Sequence, residues 1–251
     1  MPELTHLSLF SGIGGLDLAA EWAGFRTVGQ CEFADFPTKV LEKHWPDVPR
    51  WRDIRTLTGD SFYERTGMRT VDVISGGFPC QPFSVAGKRR GQEDDRYLWP
   101  EMLRVAKEIR PRWIVGENVS GLVRDALDEI LESLIKENYT ARAYAYKACE
   151  VGAPFAGDRI AIVASANDRS ASVWRNAQFQ TDGEAAGQRR DNGGGAPKFN
   201  AGQWWELEPR PYGVAYGVLN RVDRLKCLGN AVVPQQFYPI FRAIAEIERD
   251  S

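Results

Sequence analysis

Two short stretches carry side chains able to make and break covalent bonds. Gly76-Gly77-Phe78-Pro79-Cys80-Gln81-Pro82-Phe83-Ser84 sets a thiol between two prolines that stiffen its backbone. The two glycines ahead of it permit close approach by a ligand. Trp113-Ile114-Val115-Gly116 is an apolar run that delivers Glu117-Asn118-Val119. A thiol and a carboxyl group at two strand ends suit nucleophilic attack coupled to proton donation. A lone cysteine is more often an inert packing residue, but the proline bracket and strand-end position argue for a nucleophile at Cys80. Arg159, just ahead of the apolar run Ile160–Ala164, either anchors a carboxylate or phosphate or is a plain surface arginine.

These groups need a scaffold that brings strand ends together. Val71-Asp72-Val73-Ile74 reads as a buried strand, so Cys80 falls just past its carboxyl end, where open α/β sheets hold their chemistry. The chain opens with a strand, Thr5–Phe10, then Ser11-Gly12-Ile13-Gly14-Gly15, then a helical stretch Leu16–Trp22 with Gly24 as its stop. Strand, glycine turn and helix begin a nucleotide-binding crossover, in which the helix start offers free amides and a positive dipole end. The same turn can also bind nothing. A second strand, Thr27–Cys31, ends at Glu32, where an acid accepts hydrogen bonds from a ribose diol. Asp53 is an acceptor for an adenine amine, or else a helix cap or loop carboxylate.

Further helices are expected at Phe33–Trp45, Tyr97–Ile109, Asp125–Glu137 and Phe237–Arg249, with strands at Tyr139–Lys147 and Ile160–Ala164. The polar loop Ala86–Arg96 is either a solvated connector or a flap closing over substrate. From Asn167 the composition turns to Gln, Asn, Gly and Arg, with Trp174, Phe179, Trp204, Trp205 and Tyr212 interspersed. Between Arg169 and Lys226 nine Lys/Arg face six Asp/Glu, which suits either nucleic-acid contact or a surface insert. The expected organisation is a catalytic and cofactor-binding domain over 1–166, a small target-recognition region over 167–224, and a return to the first domain over 225–251.

The whole chain, 251 residues with a formal charge of -2, is large enough for an α/β domain with an insert and is no general polyanion coat. No apolar run reaches membrane-span length and no signal peptide is evident, so a cytoplasmic location is expected, with no membrane partner. The four cysteines are too far apart for a zinc site, and no metal is expected.

In order along the chain, Phe10-Ser11-Gly12-Ile13-Gly14-Gly15, Pro79-Cys80-Gln81-Pro82, Glu117-Asn118-Val119 and Gly229-Asn230-Ala231-Val232-Val233-Pro234 resemble the motifs of the DNA (cytosine-5)-methyltransferases, particularly short prophage or restriction-modification members. The resemblance implies an α/β, Rossmann-like S-adenosylmethionine-dependent methyltransferase sheet with a small inserted target-recognition region. It implies that Phe10 to Leu16, Glu32, Asp53, Ile54, Pro79, Leu98, Asn230 and Ala231 hold S-adenosyl-L-methionine, leaving S-adenosyl-L-homocysteine as product. It further implies that Cys80, Glu117 and Arg159 act on a cytosine flipped out of double-stranded DNA, with Gln81, Ser84, Asn118 and Val119 around it. A monomer and a cognate restriction endonuclease are expected alongside. The block usually written Gln-x-Arg-x-Arg reads Phe155-Ala156-Gly157-Asp158-Arg159 here, keeping only its last arginine. Alternatives are the family branch that methylates tRNA, or a DNA-binding homologue weak in turnover.

Overall fold

A computed structural model of the chain describes residues 3–79, 97–119, 122, 124–153, 155, 157–166, 222 and 231–250. The elements that position the site are seven strands and six helices. The strands are β1 Leu4–Leu9, β2 Phe25–Cys31, β3 Arg50–Trp51, β4 Val73–Gly76, β5 Trp113–Val119, β6 Tyr139–Tyr146 and β7 Arg159–Ala166. The helices are α1 Gly15–Trp22, α2 Asp35–His44, α3 Gly59–Thr66, α4 Trp99–Ile109, α5 Arg124–Lys136 and α6 Pro234–Arg249.

All seven strands join in one sheet of order β3-β2-β1-β4-β5-β7-β6. Strands β1 to β5 pair in parallel, whereas β7 runs antiparallel to both β5 and β6. Consecutive residues point to opposite faces of a strand, and here both faces are apolar. Ile74, Ile114, Ile162 and Ala164 meet α3, α4 and α5 on one side. Val73, Trp113, Val115 and Val163 meet α1 and α6 on the other. The near-continuous apolar runs in the sequence follow from this double burial.

Helix α6 returns the chain to the start of the sheet. Its Phe237, Ile240, Phe241 and Ile244 are fully buried, each contributing about 1.5–3 kcal/mol of gross burial energy. They pack with Leu16, Ala19 and Ala20 of α1. The segment just before α6 is thereby pressed onto the glycine turn: a Cβ on Gly15 would lie 2.6 Å from the Val232 carbonyl oxygen.

Helix α3 is absent from the sequence expectations. Its signals are nonetheless local: the Thr58 side chain accepts from Ser61 N while Ser61 Oγ accepts from Thr58 N, and Gly67 ends the helix at φ 71.

Polar groups also enter the sheet layer. His6 is fully buried, with Nδ1 3.0 Å from Thr27 Oγ1 and Nε2 2.7 Å from Ser75 Oγ. Burial pushes its pKa down to about 3. Asp17 on α1 is equally buried and accepts from Ser8 Oγ and Gln30 Nε2, both at 2.8 Å. Burial raises its pKa to about 6 against the opposing pull of those hydrogen bonds. The pair Ser8 and Gln30 thus pins α1 to β1 and β2 directly behind the glycine turn.

Candidate active site at the strand ends

Three parallel strand ends meet at one edge of the sheet. The end of β1 runs into the turn Phe10–Gly14, where Phe10, Gly12 and Gly14 have positive φ of 51°, 55° and 89°. Glycine enters that region without strain. Gly14 also has no space for a side chain, since a Cβ there would come within 2.5 Å of the Trp45 ring. Hydrogen bonds from Ser11 N to Cys31 O (3.0 Å) and from Gly14 N to Ser11 O (2.9 Å) hold the turn against the end of β2.

Glu32 follows β2 at once, and its carboxylate ties the two strand ends together. Oε2 accepts from Gly12 N and Oε1 from Ala34 N, each at 2.8 Å. An ionised carboxylate has about four lone-pair directions, so two remain for a ligand. Asp53 lies beyond β3 and caps the short 3-10 helix Ile54–Thr56, accepting from Arg55 N at 2.9 Å. The cap occupies Asp53 Oδ1. Ile54 is buried in the core and Leu16 is buried beneath the turn.

Strand β5 presents Glu117, only 8% exposed, and Arg159 opens β7 beside it. The antiparallel register pairs Val119 with Arg159, bringing the guanidinium back along the strand to Glu117. Arg159 Nε lies 2.9 Å from Glu117 Oε1. Burial nevertheless dominates: it raises the Glu117 pKa to about 7, with Arg159 pulling the other way. The carboxyl group therefore takes up a proton more readily than an exposed glutamate and has a cation at one oxygen.

The other oxygen is faced by Gly77, where a Cβ would sit 2.8 Å from Glu117 Oε2. Gly76 in turn lies against Leu9 and Met102. Next in sequence, Phe78 packs its ring on Trp99 at 5.0 Å, and its carbonyl accepts from Asn118 Nδ2 at 3.0 Å. The Pro79 carbonyl accepts from Leu98 N at 3.4 Å. The approach to Cys80 is thus anchored at two successive carbonyls.

Asn118 is buried, with its amide nitrogen on Phe78 and its oxygen accepting from Val119 N at 2.9 Å. Val119 is 46% exposed at the strand end. Cys80, Gln81, Ser84, the Ala86–Arg96 loop, Asn230 and the 167–224 region, apart from residue 222, lie outside the described residues. Ala231 is described and lines a cavity of about 530 Å³ with Ile13, Gly15, Phe155, Arg159 and Gln236. Arg159 is among its walls, and Glu32 and Asp53 are not. Phe155, in the block that departs from the family pattern, is half exposed at this rim.

Among the described cysteines, Cys31 is buried and its thiol is pushed up to about 12, chiefly by burial, which removes it as a nucleophile. Cys149 is exposed on the short 3-10 helix Ala148–Val151, away from these strand ends in sequence. No group of three or more metal-ligating side chains occurs among the described residues, and none of their helices is long and apolar enough to cross a membrane.

The mixed α/β sheet, with a left-handed glycine turn after β1, an acid after β2 and a buried carboxyl group on β5, has a Rossmann-like arrangement. The family model for C-5 cytosine-specific DNA methylases matches residues 4–192, and the chain belongs to that family. It is 40% identical over 173 residues to the Type II methyltransferase M.Eco47II of Escherichia coli, covering 65% of this chain and 40% of that one. It is 34% identical over 177 residues to M.AquIA of Picosynechococcus, covering 64% and 71% respectively. The chain therefore spans less than half of the first relative and about two thirds of the second. In fold it resembles the S. pombe Dnmt2 methyltransferase, with a TM-score of 0.56 at 23% identity over 72% of this chain and 58% of the other.

Proposed function

We propose that the protein transfers a methyl group from S-adenosylmethionine to carbon 5 of cytosine in double-stranded DNA. The observation that carries this reading is the buried Glu117 carboxyl group, paired with Arg159 and facing the backbone that leads into Cys80. The cofactor suits the residues present: the turn of positive φ gives a close backbone approach, Glu32 retains acceptor capacity for a ribose diol, and the turn contains no lysine for a phosphate. Phe10–Leu16, Glu32, Asp53, Ile54, Pro79, Leu98, Asn230 and Ala231 would hold it. Bound there, S-adenosylmethionine supplies an electrophilic methyl group on a sulfonium.

The remaining steps fall to side chains of the chain itself. Cys80 Sγ adds to carbon 6 of the extruded cytosine, and Glu117 shares its proton with ring nitrogen 3 to spread the developing charge. Arg159 keeps the carboxyl group oriented and neutralises charge beside it. Carbon 5 gains the methyl group; loss of its proton to a base then expels the thiolate and restores the ring. Asn118 is assigned a positioning role through Phe78 in place of the substrate contact expected from sequence, while Gln81, Ser84 and Val119 remain candidates to border the base.

Residues 1–166 and 225–251 form the catalytic domain in this reading, and 167–224 read the target as a monomer on duplex DNA in the cytoplasm, with a cognate endonuclease as partner. The docking of α6 on α1 supports the return of the chain. The decisive experiment incubates the full chain with tritiated donor and a duplex containing 5-fluorocytosine. A donor-dependent covalent adduct that vanishes in Cys80→Ala is expected. Methylation of tRNA but not DNA, or tight DNA binding with no adduct, would replace this reading with one of its alternatives.

A further inference from the structure

The turn between β2 and α2 is held by a residue that the proposed chemistry does not use. Arg52, just after β3, directs its guanidinium across this turn: Nε donates to Glu32 O at 3.2 Å, and Nη2 to Phe33 O at 2.7 Å and Asp35 Oδ1 at 2.5 Å. The same grip holds the Asp35 carboxyl group below its ordinary range, through the hydrogen bond and the charge of Arg52. An exposed ion pair alone contributes little, and the Arg52 and Asp35 side chains are 51% and 83% exposed. Two of the three acceptors, however, are main-chain carbonyls of the residue that carries the site carboxylate and of its neighbour.

On its amide side Glu32 is held by its N–H, which donates to Trp51 O at 3.0 Å. Its carbonyl also receives Thr38 Oγ1 at 3.3 Å, and its two carboxylate oxygens are stretched between Gly12 N and Ala34 N. A peptide rotation at Glu32 or Phe33 would carry the carboxylate off the glycine turn. The planar guanidinium fork opposes that rotation because it bonds successive carbonyls at once, a geometry that an ammonium group reproduces poorly.

We infer that Arg52 is a positioning residue for the methyl donor, aiming the Glu32 carboxylate at the donor's ribose diol without touching the donor itself. This rests on the cofactor site proposed above. Loss of the side chain leaves two carbonyls that water can satisfy, so folding survives while the aim is lost.

The test titrates the full chain with S-adenosylhomocysteine and with its 2′-deoxyribose analogue by calorimetry, for the wild type, Arg52→Ala and Arg52→Lys. Arg52→Ala is expected to weaken S-adenosylhomocysteine about tenfold, the scale of one lost charged hydrogen bond. The deoxy analogue should weaken less, shrinking the wild-type preference for the full ribose. Steady-state assays should show a raised KM for the donor with kcat held, an unchanged thermal midpoint without ligand, and an intermediate Arg52→Lys. Equal affinity and undiminished ribose preference in Arg52→Ala would overturn the role of Arg52 while the site stands. A parallel fall in kcat and thermal midpoint would overturn it in favour of a structural role. A wild type that binds neither compound would overturn the cofactor site and this inference together.

Discussion

Asn118 and Phe78, forty residues apart, are joined by one 3.0 Å hydrogen bond from a side-chain amide to a carbonyl, and through it the strand bearing Glu117 holds the backbone leading to Cys80. Glu117 and the backbone up to Pro79 are therefore joined by one short path of bonds: β5 backbone, Asn118 amide, Phe78 peptide. In the proposed mechanism the segment leading to the nucleophile must be held in place, because small misplacements of reacting groups cost rate steeply.

Replacing Asn118 by Ala removes the tether and leaves the buried Phe78 carbonyl unpaired. A loss of about 1–3 kcal/mol in unfolding free energy is expected, with kcat reduced more than affinity for S-adenosylhomocysteine. Denaturation curves together with calorimetry measure the two effects separately. Unchanged kcat would show that the loop holds its place without Asn118.

The Glu117 carboxyl group is raised from 4.5 to about 7, so the folded state favours its protonated form. Below about pH 4.5 that preference is fully expressed as stability; it is lost as pH rises toward 7, because the buried group must then ionise. Glu117→Gln cannot ionise. Its melting temperature should rise relative to the wild type between pH 5 and about pH 8, while its turnover falls about a hundredfold or more. Wild-type turnover should decline above about pH 7 as the proton is lost.

His6 behaves in the opposite sense. Its folded pKa of about 3 lies below the ordinary 6.5, so the neutral buried ring contributes stability that is present above pH 6.5 and drains away as pH falls toward 3. Acid unfolding monitored by circular dichroism should be less steep across this window in His6→Gln, although that variant should be less stable at pH 8 through loss of the Thr27 and Ser75 contacts.

Gly15→Ala would drive a methyl group to 2.6 Å from the Val232 carbonyl oxygen, which is backbone and cannot swing aside. The segment from Ala231 to Val233 must shift, opening the wall it shares with the glycine turn. The expected outcome is an S-adenosylhomocysteine affinity at least about tenfold weaker, read by calorimetry, with a smaller change in melting temperature.

Much of the scaffold is legible in the chain. The runs at 71–74, 113–116 and 160–164 are apolar without alternation because both faces of their strands are covered; the structure moves the first to 73–76 and lengthens the others to 113–119 and 159–166. Helix α3 was also within reach, since Thr58, Ser61 and Gly67 mark both its ends. The reversed direction of β7 was not. Its run of Ile, Ala and Val pairs equally well in either direction, and the choice depends on the path of the chain through β6.

The residue types at the candidate site were written in the sequence alone: a glycine turn after the first strand, an acid after the second, a thiol between prolines, a carboxyl group after β5, and an arginine before a late strand. Periodicity and local backbone chemistry suffice for these because each depends only on near neighbours. Tertiary structure decided what the groups became. Burial raised the Glu117 carboxyl group beside Arg159, Gly77 became the floor of that carboxyl group, and Asn118 bonded the Phe78 carbonyl. Desolvation and hydrogen-bond partnership depend on residues forty or more positions away, and those neighbours exist only once the sheet has closed.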